Sequence, residues 1–138
     1  MEGIIHTGNQ VRNMAGRKKD PLYKSFGYAF QGIFTCIRQE RNMKIHVLAT
    51  LIVTTLGFIL GLEPLEWVAC IFSIVIVIGS EMLNTAIETI VDIVSPNINP
   101  LAKKAKDIAA GAVLVLAIGA LVVGLIIFIP KIVNIFFL

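Results

Sequence analysis

Three long apolar stretches constrain this chain more than any other feature of its sequence. Residues 45–62 and 108–129 contain no Asp, Glu, Lys or Arg, and residues 65–79 contain only Glu66. A helix of roughly 20 apolar residues is long enough to cross the ~30 Å hydrocarbon layer of a bilayer. We therefore predict an all-α integral membrane protein, because an open sheet edge is not stable in lipid. The predicted crossings are residues 45–62, 65–95 and 106–129.

The composition supports this class and excludes others. Apolar residues make up 57% of the 138 residues and charged residues make up 15%, whereas ordinary soluble domains have roughly 45–50% and 25%. A disordered chain has low hydrophobicity and high net charge, and a multidomain soluble enzyme needs a longer chain. The net charge is only +3, and we predict no nucleic-acid partner.

The segment before the first crossing is polar and basic. We expect residues 1–21 to form a mobile tail, because they lack a sustained apolar period. Residues 22–41 carry apolar side chains at three- and four-residue spacing with basic residues opposite. This pattern is typical of an amphipathic helix on a membrane surface. The first forty residues contain no apolar stretch like that of a secretory signal, so we expect the N-terminus to stay cytoplasmic.

Basic residues are distributed unevenly around the three crossings. Eight Lys and Arg residues precede the first crossing, none lies between the first and second, and three lie between the second and the apolar part of the third at residues 108–129. Lys131 alone follows the third crossing. Because cytoplasmic segments carry the excess of Lys and Arg, the N-terminus and the second connection are predicted to be cytoplasmic and the C-terminus extracytoplasmic.

Four polar side chains recur along the second crossing. Glu81, Asn84, Glu88 and Asp92 follow one another at intervals of three, four and four residues. At about 100° per residue they share one helix face. Lipid cannot cover this face, since a charge inside the bilayer costs on the order of 2–3 kcal/mol or more. Neighbouring carboxylates repel unless a cation neutralises them, and hard oxygen ligands suit Mg²⁺.

Two other interpretations of this acidic face are compatible with the sequence. The carboxylates could form a polar seam between helices by pairing with basic side chains at the cytoplasmic interface. The candidates for such pairs are Arg41, Lys103, Lys104 and Lys106. Alternatively, the face could be the relay of a small proton or cation transporter.

Charged residues from two other segments lie at the same membrane level. Glu40 comes shortly before the first crossing, and Lys106 and Asp107 open the third. Carboxylates for a metal, a lysine for phosphate charge and an acid that accepts a hydroxyl proton are the groups that phosphoryl transfer requires. The sequence has neither a Walker A loop nor a kinase-type glycine-rich loop, so a phosphotransferase of this kind would hold its nucleotide differently.

Together these motifs resemble a known family. The matching segments are E-R-N-M-K-I-H before the first crossing, E-x-x-N-T-A-I-E-x-x-x-D in the second and A-K-D-x-A-A-G-A-V in the third. They closely resemble the small bacterial membrane lipid kinases that act on diacylglycerol or undecaprenol, over about residues 24–129. The resemblance implies a homotrimer in the bacterial inner membrane, with active sites between protomers at the cytoplasmic boundary and with ATP and Mg²⁺ as co-substrate and cofactor.

The resemblance also implies roles for individual residues. Glu81 corresponds to the base that acts on the lipid hydroxyl, with Asn84 beside it. Glu40 and Glu88 correspond to ligands of the divalent metal that bridges the ATP phosphates. The positions that correspond to other nucleotide contacts are Tyr28, Asn97, Asn99, Lys106 and Asp107, and Asp92 matches a supporting aspartate.

One position departs from the family pattern, and one segment favours a substrate. Where the family often has an arginine before the surface helix, this sequence has Pro21. The E-R-N-M-K-I-H segment is more similar to the undecaprenol kinases of Gram-positive bacteria than to Gram-negative diacylglycerol kinases. We therefore predict phosphorylation of undecaprenol, with diacylglycerol as the alternative. Three helices hardly enclose ATP, metal and lipid, so we expect a neighbouring protomer to supply one wall.

Overall fold

The computed structural model describes residues 21–137 and the side chains up to residue 135. This part of the chain contains four α-helices and no strand, which confirms the all-helical prediction. The helices are α1 (Leu22–Gln39), α2 (Arg41–Ile59), α3 (Pro64–Val94) and α4 (Pro100–Phe137). The tail predicted over residues 1–21 lies outside the described residues, apart from Pro21.

The chain divides into two compact units, with the boundary between Gly32 and Ile33 inside α1. In the first unit, all described side chains are exposed. Leu22 and Phe30, for example, are 80% and 69% exposed. Large apolar side chains that are not buried by the protein are typical of an amphipathic helix that inserts its apolar face into a bilayer surface.

Three described helices are long and apolar enough to cross a membrane, as predicted: α2, α3 and residues Pro100–Ile135 of α4. The first spanning helix begins at Arg41 and not near residue 45. It starts directly after Glu40, whose backbone is extended (φ −88°, ψ 127°). The same break ends α1 at Gln39, so the amphipathic helix is slightly shorter than the predicted 22–41.

The third spanning helix is longer at both ends than the predicted crossing at 106–129. It begins at Pro100, a residue that suits the first helical position because it has no N–H to satisfy. The Asn99 Oδ1 atom accepts a hydrogen bond from the Leu101 N–H at 2.9 Å and caps this start. The helix continues through Pro130 to Phe137. Spanning helices tolerate an internal proline, since lipid offers the backbone no alternative partner.

The apolar core of the second unit lies near the α2–α3 turn. Leu62, Cys70 and Phe128 are buried together there. Trp67 covers Gly57 so closely that a Cβ atom at Gly57 would lie 2.7 Å from the indole ring. Glycine is therefore required at this helix crossing, because any side chain would displace Trp67.

An ion pair joins α4 to the same turn. The Lys131 Nζ atom lies 2.9 Å from Glu66 Oε2 and donates a hydrogen bond to the Gly61 carbonyl at 3.4 Å. Glu66 also accepts a hydrogen bond from the Glu63 N–H at 2.7 Å, as part of the capping box that begins α3. The end of α4 is thus held against the start of α3.

Candidate active site

The polar face of α3 runs from a buried end to an exposed end. Glu81 and Asn84 are 2% and 6% exposed, Glu88 is half-buried and Asp92 is exposed. The Asn84 Nδ2 group donates a hydrogen bond to Glu88 Oε1 at 3.1 Å. One face of α3 therefore carries the buried carboxylate of Glu81, the amide of Asn84 and, one turn further on, the carboxylate of Glu88, as the residue spacing predicts.

Two buried acceptors on this face have no hydrogen-bond partner in the structure. They are Glu81 Oε2 and Asn84 Oδ1. A buried polar atom without a partner is destabilising by roughly 1–3 kcal/mol, and native proteins keep few of them. Both side chains line the same cavity, so a molecule with an O–H or N–H donor would satisfy them there.

The cavity has a volume of about 230 Å³ and lies where α2, α3 and α4 approach one another. Glu81 and Asn84 supply its acidic wall. The remaining lining residues are Asn42, Ile45 and His46 of α2 and Ala110, Val113, Leu114 and Ala117 of α4. The cavity therefore combines a carboxylate with apolar walls, which suits the polar end of an amphiphilic molecule.

Glu40 lies beside this site at the start of α2. Its side chain does not cap the helix, and it is half-buried. The last turns of α1 contact α3, where Cys36 Sγ lies 3.5 Å from Thr85 Oγ1. Glu40 and Glu88 both act on the Glu81 carboxylate through charge. The structure thus brings these carboxylates within electrostatic range of Glu81, although only Glu81 lines the cavity.

A metal ion at this place would need ligands from a substrate. Within the described part of the chain, no group of three or more Asp, Glu, His or Cys side chains could hold a metal ion. Glu40 and Glu88 nevertheless offer hard oxygen donors, and neither forms an ion pair with a described Lys or Arg. This donor set fits Mg²⁺, which commonly takes one or two carboxylates and completes its shell with phosphates and water.

The seam interpretation is correct for one carboxylate of the acidic face. Lys106 Nζ lies 3.0 and 3.1 Å from the two carboxylate oxygens of Asp92, which joins α4 to α3. Among residues 21–137, no comparable pair involves Glu81 or Glu88. Asp107 pairs with Lys103 one turn earlier on α4. Lys106 and Asp107, two of the five residues that the resemblance assigns to the nucleotide, therefore both have ionic partners.

The other residues predicted for the nucleotide lie outside the cavity. Asn99 caps α4 with its side-chain oxygen, and its Nδ2 group is not used in that cap. Asn97 is exposed, and its carbonyl accepts a hydrogen bond from Ser95 Oγ at 3.4 Å. Tyr28 belongs to the first unit, where its side chain is 57% exposed.

Sequence reasoning did not select two polar residues that line the cavity, Asn42 and His46. They are four positions apart, so they lie one above the other on one face of α2. His46 lines the same cavity as Glu81. The spacing of the two residues inside E-R-N-M-K-I-H could have revealed them, because two polar side chains on one face of a spanning helix require a polar neighbour.

Comparison with known proteins identifies the family. The profile described as prokaryotic diacylglycerol kinase matches residues 27–128. The undecaprenol kinase of Bacillus subtilis (strain 168) is 44% identical over 110 residues, which cover 80% of this chain and 89% of that protein. A diacylglycerol kinase of Synechocystis sp. is 36% identical over 125 residues, which cover 90% and 71%. The diacylglycerol kinase of Escherichia coli (strain K12) is 29% identical over 101 residues, which cover 73% and 83%.

These matches confirm the resemblance seen in the motifs of all three spanning segments. They also decide between a kinase and a transporter for the chain as a whole, because the matched family consists of lipid kinases. The chain belongs to the prokaryotic diacylglycerol kinase family, and it is a membrane lipid kinase.

Proposed function

We propose that this kinase transfers the γ-phosphoryl group of ATP to the hydroxyl of undecaprenol. The observation that carries the proposal is the pair of unpartnered acceptors, Glu81 Oε2 and Asn84 Oδ1, in one cavity. A lipid alcohol brings the O–H donor that these atoms lack. The similarity to the B. subtilis undecaprenol kinase favours undecaprenol as this alcohol.

Diacylglycerol is the second candidate substrate. It is favoured by the similarity to the Synechocystis diacylglycerol kinase, whose alignment covers 90% of the chain. Diacylglycerol also has a single free hydroxyl group, so the unpartnered acceptors by themselves fit both lipids. A direct comparison of the two lipids is therefore the decisive measurement.

In this proposal Glu81 is the general base. Its carboxylate accepts the hydroxyl proton while the lipid oxygen bonds to phosphorus and the bond between that phosphorus and the ADP oxygen breaks. No described Lys or Arg forms an ion pair with Glu81, so no lysine or arginine of this part of the chain occupies the carboxylate. Asn84 donates to Glu88 through Nδ2, which leaves its Oδ1 atom as the acceptor in the cavity.

Glu40 and Glu88 are the proposed ligands of Mg²⁺. Their carboxylates have no described cationic partner, and both lie within electrostatic range of the base. When bound, Mg²⁺ neutralises charge on the ATP phosphates. Glu40 and Glu88 would hold the cation, while Glu81, which lines the cavity, would accept the proton.

The proposed nucleotide contacts are Lys106 and Asp107, with Asn97, Asn99 and Tyr28. Lys106 is 34% exposed and carries three N–H donors. It can therefore contact a phosphate oxygen while it keeps its ion pair with Asp92. Asp107 is 61% exposed, and its surface pair with Lys103 is weak enough to exchange for a ligand.

We further propose a homotrimer in the bacterial inner membrane, with a cytoplasmic N-terminus and an extracytoplasmic C-terminus. The distribution of Lys and Arg supports this orientation. The trimer is supported by the small number of helices around the cavity, which leaves room for a neighbouring protomer to close the site.

The test is an assay of the purified protein in mixed micelles with labelled ATP, Mg²⁺, and equal amounts of undecaprenol and diacylglycerol. The expected product is labelled undecaprenyl phosphate. Label found only in phosphatidic acid would assign the second candidate substrate. Label in neither lipid, from a preparation that is folded and oligomeric, would contradict the proposed function.

A further inference from the structure

A second cavity adjoins the one at Glu81. It has a volume of about 340 Å³ and lies between α2, α3 and α4 on the side of the α2–α3 turn. At its far end are Cys70 and Phe128, which belong to the apolar core. Only two residues line both cavities: His46 of α2 and Ala117 of α4. These two side chains therefore form the junction between the cavities.

The two cavities have opposite chemistry. The first contains Glu81 and Asn84, each nine-tenths or more buried and each with an unpartnered acceptor. The second contains no Asp, Glu, Lys or Arg, and most of its lining residues are aliphatic. The pair of cavities thus fits a molecule that has a hydrogen-bond donor at one end and a hydrocarbon chain beginning directly behind it.

The two candidate lipids differ at the place where the junction lies. In undecaprenol, a single hydrocarbon chain begins at the carbon that carries the hydroxyl, and no other polar group follows. In diacylglycerol, two ester groups and two chains follow within a few bonds of the hydroxyl. Ester oxygens accept hydrogen bonds but cannot donate them, and burying acceptors without donors is costly.

We propose that His46 and Ala117 determine the lipid specificity of this kinase, an inference that rests on the proposed function. The junction admits one hydrocarbon chain into the apolar cavity and disfavours the wider, ester-bearing glycerol of diacylglycerol. His46 is a positioning residue, since it lines both the apolar cavity and the cavity that contains Glu81. Ala117 supplies the small side chain that keeps the passage open from the opposite helix.

The experiment measures kcat/KM for undecaprenol and for diacylglycerol in the intact protein and in His46→Ala, His46→Gln and Ala117→Leu. His46→Ala widens the junction and is expected to raise the activity on diacylglycerol relative to undecaprenol roughly ten-fold. His46→Gln retains an N–H donor and much of the size, so it should keep the original preference. Ala117→Leu narrows the passage and should raise the KM for undecaprenol roughly ten-fold with an unchanged KM for ATP.

Ala112→Leu is the matched control for the third variant. Ala112 lies on the same helix, is exposed and lines neither cavity, so the added methyl groups should leave both KM values unchanged. The inference is overturned if His46→Ala leaves the lipid preference within about two-fold of the intact protein or if Ala117→Leu behaves like the control. An intact protein that phosphorylates neither lipid would instead overturn the proposed function.

Discussion

Replacing Glu81 with glutamine should change activity and stability in opposite directions. Glu81 is 2% exposed, and its Oε2 atom has no hydrogen-bond partner. Glu81→Gln keeps the shape of the side chain but exchanges one oxygen for an NH₂ group. The unpartnered Asn84 Oδ1 atom lies in the same cavity. The variant therefore removes a buried charge, replaces an unpartnered acceptor with an NH₂ donor and offers that donor to the other acceptor, Asn84 Oδ1.

The size of each effect can be worked from these contacts. An unsatisfied buried polar group is destabilising by roughly 1–3 kcal/mol, so the variant should be more stable by about 1 kcal/mol. Loss of a general base lowers a rate by about 10²–10⁴-fold, so kcat should fall by at least about two orders of magnitude. The KM for ATP should change little, because the proposed metal ligands Glu40 and Glu88 are intact.

Lipid phosphorylation and thermal unfolding are measured on the same preparation. Glu63→Gln is the control: Glu63 is an exposed acid at the other end of α3, and glutamine keeps an oxygen that can accept the capping hydrogen bond. The rate of lipid phosphorylation and the thermal stability of this control should both equal those of the intact protein. A normal kcat in Glu81→Gln would refute the assignment of Glu81 as the base. A lower stability of Glu81→Gln to thermal unfolding would refute the interpretation that the cavity contains two acceptors without a hydrogen-bond donor.

Three further predictions concern the metal ligands, the helix packing and the orientation. Glu40→Gln and Glu88→Gln should each abolish kinase activity at limiting Mg²⁺ while the oligomer stays folded, as measured by activity titration and gel filtration. Gly57→Ala should destabilise the protein by about 1–3 kcal/mol in an unfolding titration, because the new Cβ would lie 2.7 Å from the Trp67 ring. A reporter at the C-terminus should be extracytoplasmic, and one at Asn97 should be cytoplasmic.

Each of these predictions has an opposing outcome. Activity within a few-fold of the intact protein in either carboxylate variant would remove that residue from the metal site. Gly119→Ala is the control for Gly57→Ala, since nothing lies within 4 Å of its new Cβ, and equal stability of the two variants would contradict the packing argument. Cytoplasmic labelling at both reporter positions would leave an even number of crossings.

The spanning helices and the acidic face were predictable because they depend on local patterns. Uncharged length predicts a crossing, and intervals of three and four residues place Glu81 and Asn84 on one side of a helix. The end of the surface helix was predicted within two residues of the break at Glu40, but the start of α2 directly after that break was not, because residues 41–44 are mostly polar or basic. The predicted third crossing begins at residue 106 because basic residues occupy positions 103, 104 and 106, whereas the helix begins at Pro100, where the Asn99 side chain caps it.

The parts of the site that depend on contacts between helices could not be predicted. Periodicity gives the face of each helix but not the rotation and depth at which two helices meet. The pairing of Lys106 with Asp92 depends on how α4 lies beside α3. The same holds for the place of Asn42 and His46 in the cavity wall. The family motifs predict a role for Glu81, but only the packing of three helices shows which of its carboxylate oxygens lacks a partner.

The ion pair between Lys131 and Glu66 affects the orientation of the protein in a membrane that carries an electrical potential. It cancels the positive charge of Lys131, and the neighbouring Glu63 then gives this end of the bundle a net negative charge. The opposite end carries the lysines and arginines. In the proposed orientation, an inside-negative membrane potential favours both the positive end at the cytoplasmic face and the negative end at the outer face. Each elementary charge contributes about 2.3 kcal/mol for each 100 mV. In the inverted orientation, the membrane potential would disfavour both the positive end and the negative end.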